Sequence, residues 1–290
     1  MPVLFALLAA LSNALNLITQ HVASIGDTEH SRGWRFVRYL LASPLWLFGW
    51  LAAAGAFVFQ AVALHYGAMS AVQPLLVTEL VFALVLRRLW LRQSIRAVTW
   101  WAAALTCASL GLFLAMSEPS GAGAAPTSGT WVAATAATVG AATVLALAGL
   151  RGSPGRRAAL LGASVSVLWA MVAAFIKATT DTLSQYGVGG LFTHWPVYAL
   201  AVSGLAAELL SQAALHVGPL SMSQPFIVIV DPIVSIALSI YVFGEMFTAH
   251  PIRLAFGALG FAVMGASVVV LARTAPATMD PAAAPAATGT

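Results

Sequence analysis

Apolar residues in this chain fall in long blocks, separated by short polar stretches that carry nearly all of the charge. Within a block they do not alternate as in a strand. They run almost unbroken for roughly 18 residues or more, the length a helix needs to cross the hydrocarbon layer of a bilayer. The blocks predict nine membrane-spanning helices, at about residues 2–24, 40–66, 71–87, 98–116, 130–150, 158–178, 196–216, 220–243 and 252–272. Residues 117–129, rich in Ser, Gly, Ala and Pro, have the composition of a flexible linker. The Ala/Pro/Thr tail cannot bury a core. The expected organisation is a first transmembrane half over 1–116, the linker over 117–129, an extra span over 130–150, a second transmembrane half over 157–272 and a disordered tail over 273–290. The expected fold class is all-α, a polytopic membrane helical bundle.

One segment occurs twice. Ala63-Leu64-His65-Tyr66-Gly67-Ala68-Met69-Ser70-Ala71-Val72-Gln73-Pro74 returns as Ala214-Leu215-His216-Val217-Gly218-Pro219-Leu220-Ser221-Met222-Ser223-Gln224-Pro225, at a constant offset of 151 residues. Each copy closes one apolar block and opens the next at Gln-Pro. Proline suits the first turn of a helix, where its missing N–H has no partner to lose. Each copy therefore reads as helix, tight turn, helix, with Gln73 and Gln224 capping the helices that Pro74 and Pro225 open. Span 5 separates two four-span halves, so the second half enters the membrane in the opposite sense. An inverted repeat of this kind places a substrate site near the membrane midplane.

Composition and charge support the same class. Of 290 residues, 60% are hydrophobic and 8% charged, which excludes an ordinary soluble domain. Nine spans send Arg32, Arg35, Arg38, Arg87, Arg88, Arg92, Arg96, Arg151, Arg156, Arg157 and Arg273 to one side and only Lys177 and Arg253 to the other. The positive-inside rule then sets the N-terminus outside and the C-terminus in the cytoplasm, in the cell membrane. The net charge of +4 belongs to loops, and no nucleic-acid partner is expected. The N-terminus lacks a basic region and a small-residue cleavage site, so no cleaved signal peptide is expected. The single cysteine, Cys107, cannot form an intrachain disulfide.

Three carboxylates, Glu79, Glu208 and Asp231, fall inside spans. Each costs about 2.5–3.5 kcal/mol at the centre of an inserting helix, which makes function the first hypothesis. The repeat offset maps Glu79 to position 230, one residue from Asp231, so these two form a pseudo-symmetric pair. Asp231 precedes Pro232, which frees a carbonyl one turn earlier and permits a kink. A carboxylate there could hold a substrate cation or carry a coupling proton; a neutral acid bonded to a neighbouring helix is the structural alternative. If a cation is carried, its ligands are expected among Glu79, Glu208 and Asp231. Asn13, Asn16 and Gln20 share one face of span 1, and Gln60, Gln212, His65 and His216 are further cavity-lining candidates. Helix-to-helix hydrogen bonding explains such residues as readily. Lys177 is expected to snorkel to the interface, and Glu245 to be solvated at the end of span 8. The small residues Ala104, Ala108, Gly111 and Ala115 of span 4, and Ala258, Ala262 and Ala266 of span 9, suit close packing within the bundle or in a homodimer. No zinc-protease, hydrolase-elbow or phosphate-loop motif occurs, so neither an enzyme nor a cofactor is expected.

The repeated ALxxGxxSxxQP element, Phe243-Gly244-Glu245 at the end of span 8, and Leu168-Trp169-Ala170 followed by Lys177 resemble the drug/metabolite transporter superfamily in its EamA-like form. The nine-span plan, Phe192-Thr193 and Pro196-Val197-Tyr198 are similar to its NIPA-type magnesium transporter branch. That branch carries a Gly-Glu pair in span 2, where this chain has Gly55, Ala56 and Phe57. The resemblance implies a secondary transporter working by alternating access, with a small solute or a divalent cation such as magnesium as its partner and lipid around it. A non-transporting membrane assembly or sensor protein is the competing class.

Overall fold

A computed structural model describes residues 1–25, 43–119, 123, 126–215, 220–247 and 249–274. Its helices are α1 (Pro2–Ile25), α2 (Pro44–Tyr66), α3 (Met69–Leu76), α4 (Glu79–Trp90), α5 (Ala97–Ser117), α6 (Ser128–Ala148), α7 (Pro154–Leu191), α8 (Pro196–Leu215), α9 (Leu220–Phe243) and α10 (Pro251–Thr274). Helices α3 and α4 are the two parts of one span. Among the described residues, nine segments are long and apolar enough to cross a membrane, and no strand forms beyond an isolated bridge between Pro119 and Phe247.

Local chemistry sets the ends. Proline begins α2 and α7, where its absent N–H costs nothing. The Ser43 hydroxyl accepts the Trp46 N–H, and Thr127 caps α6 by accepting the Thr130 N–H. Gly244, at φ +61°, follows the last residue of α9 in the left-handed conformation that glycine adopts without strain.

Two sequence expectations change here. Pro74 does not open a helix: α3 already begins at Met69, and Pro74 lies inside it. Gln73 is consequently no cap but a buried residue whose Nε2 has no partner among the described residues. The side chain of Gln224 lies outside the described residues. The hydropathy pattern ends span 6 near 178, yet α7 runs on to Leu191, with a non-helical Gly187 near its end. The charge of Lys177 stops the apolar pattern, not the helix.

Helix α7 is the axis of the bundle, buried along most of Leu161–Lys177 and packed against α2, α6, α8 and α9. Around it α1 lies on α2, α3 and α4, α3 touches α9, and α5 lies along α10. One core joins Leu64, Met69, Val72, Met171, Phe175, Val242, Phe243 and Val268. The outer surface is as apolar as the core: Leu51, Trp101 and Val202 are each about 70% exposed or more. A soluble monomer does not present so much apolar surface to water, and lipid suits it. The chain is a multi-pass helical membrane protein.

The small residues singled out in spans 4 and 9 do not pack inside the bundle. Ala104, Ala108, Gly111, Ala115, Ala258, Ala262 and Ala266 all face outward. The contact between α5 and α10 uses their other faces. A Cβ on Gly260 would meet the Ser109 carbonyl at 3.0 Å and the Phe113 nitrogen at 3.2 Å. The Thr106 and Ser267 hydroxyls are hydrogen-bonded across the contact at 2.8 Å. Close approach at the glycines brings these hydroxyls together, and that sets the phase of packing.

Candidate functional site

The break between α3 and α4 positions the first carboxylate. Pro74 cannot donate an N–H and crowds the preceding turn. Downstream the chain tightens into i→i+3 bonds: the N–H groups of Val77 and Thr78 donate to the carbonyls of Pro74 and Leu75. The Thr78 hydroxyl adds a second bond to Leu75, at 2.6 Å. Glu79 thus stands in the first turn of α4, where the helix dipole favours negative charge by about 0.3–1 kcal/mol. The side chain of Asn13, on α1, hydrogen-bonds to Glu79.

Asp231 comes from α9. The Ser235 hydroxyl, one turn later and fully buried, donates to its Oδ1 at 3.2 Å. Asp231 also lies close enough to Glu79 for the two carboxyls to act on each other electrostatically. Both lie deep in the protein, yet both keep part of their surface open. Helix α9 continues through Pro232 without a break. The Ser166 hydroxyl of α7 donates to the Ile227 carbonyl at 2.9 Å, one residue before the Val228 carbonyl that Pro232 leaves without its helical donor. The arrangement joins two acids, an amide and a hydroxyl from α1, α4 and α9. Such a set can bind a cationic group or exchange a proton.

The other candidates are distributed differently. Gln20 donates to Asn16 Oδ1 at 2.7 Å, so these two satisfy each other along α1. Gln60 is half-buried on α2. Glu208 and Gln212 are exposed on α8 and hydrogen-bonded to each other at 2.7 Å. His65 stands at the end of α2, its Nδ1 3.7 Å from Asp181 of α7. His216 lies outside the described residues. Among the described residues, no cluster of three or more His, Cys, Asp or Glu could hold a metal ion. A groove of about 500 Å³ between α1 and α2 is lined by Leu15, Phe48, Leu51 and Val58 with Ser12 the main polar contributor. It is too apolar and too open to serve a polar solute, and a lipid-facing surface explains it.

Lys177 and Glu245 overturn their sequence expectations. Lys177 does not snorkel: it is buried, and its Nζ donates to the carbonyls of Leu64 at 2.9 Å and Gly67 at 3.3 Å, at the end of α2. Glu245 is not solvated: it is 1% exposed. Its Oε1 accepts the Met69 N–H at 2.7 Å, and its Oε2 accepts the Ser70 N–H at 3.0 Å and the Ser70 hydroxyl at 2.8 Å. The reason lies in the α2–α3 turn, which is buried. A helix ending there leaves carbonyls without partners and a helix beginning there leaves amides without partners, and the buried ions supply them. Sequence reasoning missed these roles, and that of Ser235. Only Ser235 carried a local signal, its i+4 spacing from Asp231.

The chain is 30% identical over 277 residues to an uncharacterized protein of Corynebacterium glutamicum, an alignment that covers 94% of each chain. No described family's sequence profile matches it, and no solved structure matches it.

Proposed function

We propose that this chain, which belongs to the same family as the uncharacterized Corynebacterium glutamicum protein, is a secondary transporter of a small solute in the cell membrane. The observation that carries this reading is the placement of Glu79 and Asp231, from spans distant in sequence that touch through α3 and α9, deep inside the bundle, with Glu79 just after a tightened turn of its span. Ionisable groups inside a membrane are costly and mark substrate or ion pathways. Burying a charged carboxylate with nothing bound beside it is unfavourable. Entry of a cationic group, or of a proton, removes that penalty. Either event can bias the protein between two conformations.

Alternating access requires two bodies that rock against each other. The helix pairing supports such a division: α1 lies on α2 as α7 lies on α8, α1 lies on α3 and α4 as α7 lies on α9, and α3 meets α9. This correspondence, with the duplicated Ala-Leu-His motif, supports an internal repeat and a place in the drug/metabolite transporter superfamily; the five spans between the copies favour its inversion, and the arginine distribution favours an N-terminus outside.

A divalent cation is the second reading. The presence of two buried carboxyls favours it, since magnesium is held through one or two carboxylates with several waters retained. Exposed Glu208 adds nothing to that site.

Purified protein in liposomes, challenged with a panel of organic cations, amino acids, nucleobases and magnesium, tests the proposal. Uptake of one class that is lost in both Asp231→Asn and Glu79→Gln supports it. Uptake that survives both substitutions removes the carboxylates from the mechanism. A folded protein that moves nothing favours the assembly or sensor class.

A further inference from the structure

We propose that Lys177 and Glu245 form a charge latch that grips the α2–α3 turn from both sides and closes one end of the translocation path. The inference rests on the transport reading above and names the device that controls it.

The turn at Gly67 and Ala68 ends one helix and begins another, with Ala68, Met69 and Ser70 buried. Its two sides present opposite partial charges: carbonyls at the end of α2, amides at the start of α3. The protein answers each with the complementary ion. The Lys177 ammonium takes the carbonyls of Leu64 and Gly67. The Glu245 carboxylate takes the amides of Met69 and Ser70 and the Ser70 hydroxyl. Neither ion belongs to the helices it caps. Lys177 is on α7, and Glu245 follows α9, so both caps cross from one half of the chain to the other. Phe243 ties the two together, its ring 5.4 Å from the Lys177 Nζ, two residues before Glu245.

Other contacts close the same end. The Gly123 N–H donates to the Phe243 carbonyl at 2.9 Å. A side chain on Gly67 would collide with Pro2 at the start of α1. If the halves rock apart at this end, Lys177 and Glu245 leave their backbone partners together. An ion half removed from such partners, but not yet hydrated, is the least stable arrangement. The end is therefore either shut or open to water, with no stable intermediate.

The two charges of the latch are not repeated in the sequence of the other half. The 151-residue offset pairs Glu245 with Ser94 and Lys177 with Gly26.

The test reads accessibility and needs no known substrate. Cys107 is exposed, so the background is Cys107→Ala, with a reporter at Val72→Cys, a position 1% exposed beneath the turn. A membrane-impermeant maleimide is applied to right-side-out and to inverted vesicles. With the latch intact the reporter labels slowly. Adding Glu245→Gln or Lys177→Met raises the rate about tenfold from one face only, the population change expected when a charge-assisted hydrogen bond is lost. Ser70→Ala removes one bond of the set and raises it about threefold. This milder variant decides the matter if the charge substitutions do not fold. Labelling at the parent rate in Ser70→Ala and in every folded latch variant overturns the proposal. Latch-dependent labelling without transport of any solute would sink the transport reading and leave the latch standing.

Discussion

Adding one methyl group at two glycines should move stability in opposite directions. Gly260 of α10 and Gly111 of α5 are both interior helix positions. In either, Gly→Ala removes the entropic penalty of glycine and gains about 0.5–1 kcal/mol. At Gly111 nothing lies within 4 Å of the new Cβ, so that gain stands alone. At Gly260 the Cβ would meet the Ser109 carbonyl at 3.0 Å, the Phe113 nitrogen at 3.2 Å and Leu112 Cγ at 3.3 Å. The first two are backbone atoms of α5 and cannot rotate away, so α5 and α10 must separate. Separation also lengthens the 2.8 Å Thr106–Ser267 hydrogen bond. Overpacking of this kind costs about 1–3 kcal/mol. Because the propensity term is common to both, the difference between the variants isolates the packing cost. For a chain of this size that is on the order of 2–10 °C in melting temperature, Gly111→Ala above wild type and Gly260→Ala below it. Thermal unfolding in detergent, followed by tryptophan fluorescence and by size-exclusion recovery, reads the difference. If the two variants melt together, α5 and α10 do not meet at Gly260 and the helix packing is wrong.

Three further outcomes follow from the site. Glu208→Gln should leave transport intact, since Glu208 and Gln212 form an exposed pair on α8; loss of uptake in a stable protein would return Glu208 to the site. Ser235→Ala removes one 3.2 Å hydrogen bond from Asp231, so it should cost no more than about 1.5 kcal/mol of stability while lowering uptake several-fold. Uptake unchanged in that variant would separate Ser235 from the function of Asp231. Lys177→Met keeps the side-chain length but strands two carbonyls at the end of α2, and should cost about 2–3 kcal/mol. An unchanged melting temperature would show that those carbonyls find other partners.

Span number and placement were legible because each span must satisfy its backbone internally and face lipid, and both demands act over a window of consecutive residues. The bundle's internal register was not. Ala104, Ala108, Gly111 and Ala115 read as a packing face, but the structure turns them outward because Gly257, Gly260, Thr106 and Ser267 make the closer contact. A small-residue stripe says that something can approach closely, not what does. Within the site, the duplicated motif marks Glu79 and Asp231 as near-equivalent positions of the two halves. Lys177 and Glu245 looked like ordinary charges at helix ends. Their partners are backbone atoms more than a hundred residues away, and backbone atoms leave no mark in a sequence. The break before Glu79 was missed for a related reason. Proline was read as a helix opener, whereas it disturbs a helix that has already begun.

The most direct test of the central claim is ligand-induced stabilisation, measured side by side in wild type, Asp231→Asn and Glu79→Gln. A ligand that binds only the folded protein raises its stability by about 2.7 kcal/mol at a hundred times Kd. The same panel of organic cations, amino acids, nucleobases and magnesium serves. At least one solute is expected to raise the melting temperature of the wild type and to leave both variants unmoved, because both carboxyls face the site it occupies. A solute that shifts all three proteins equally would contradict the account: its binding site would lie away from Glu79 and Asp231, and the pairing of those acids would be structural.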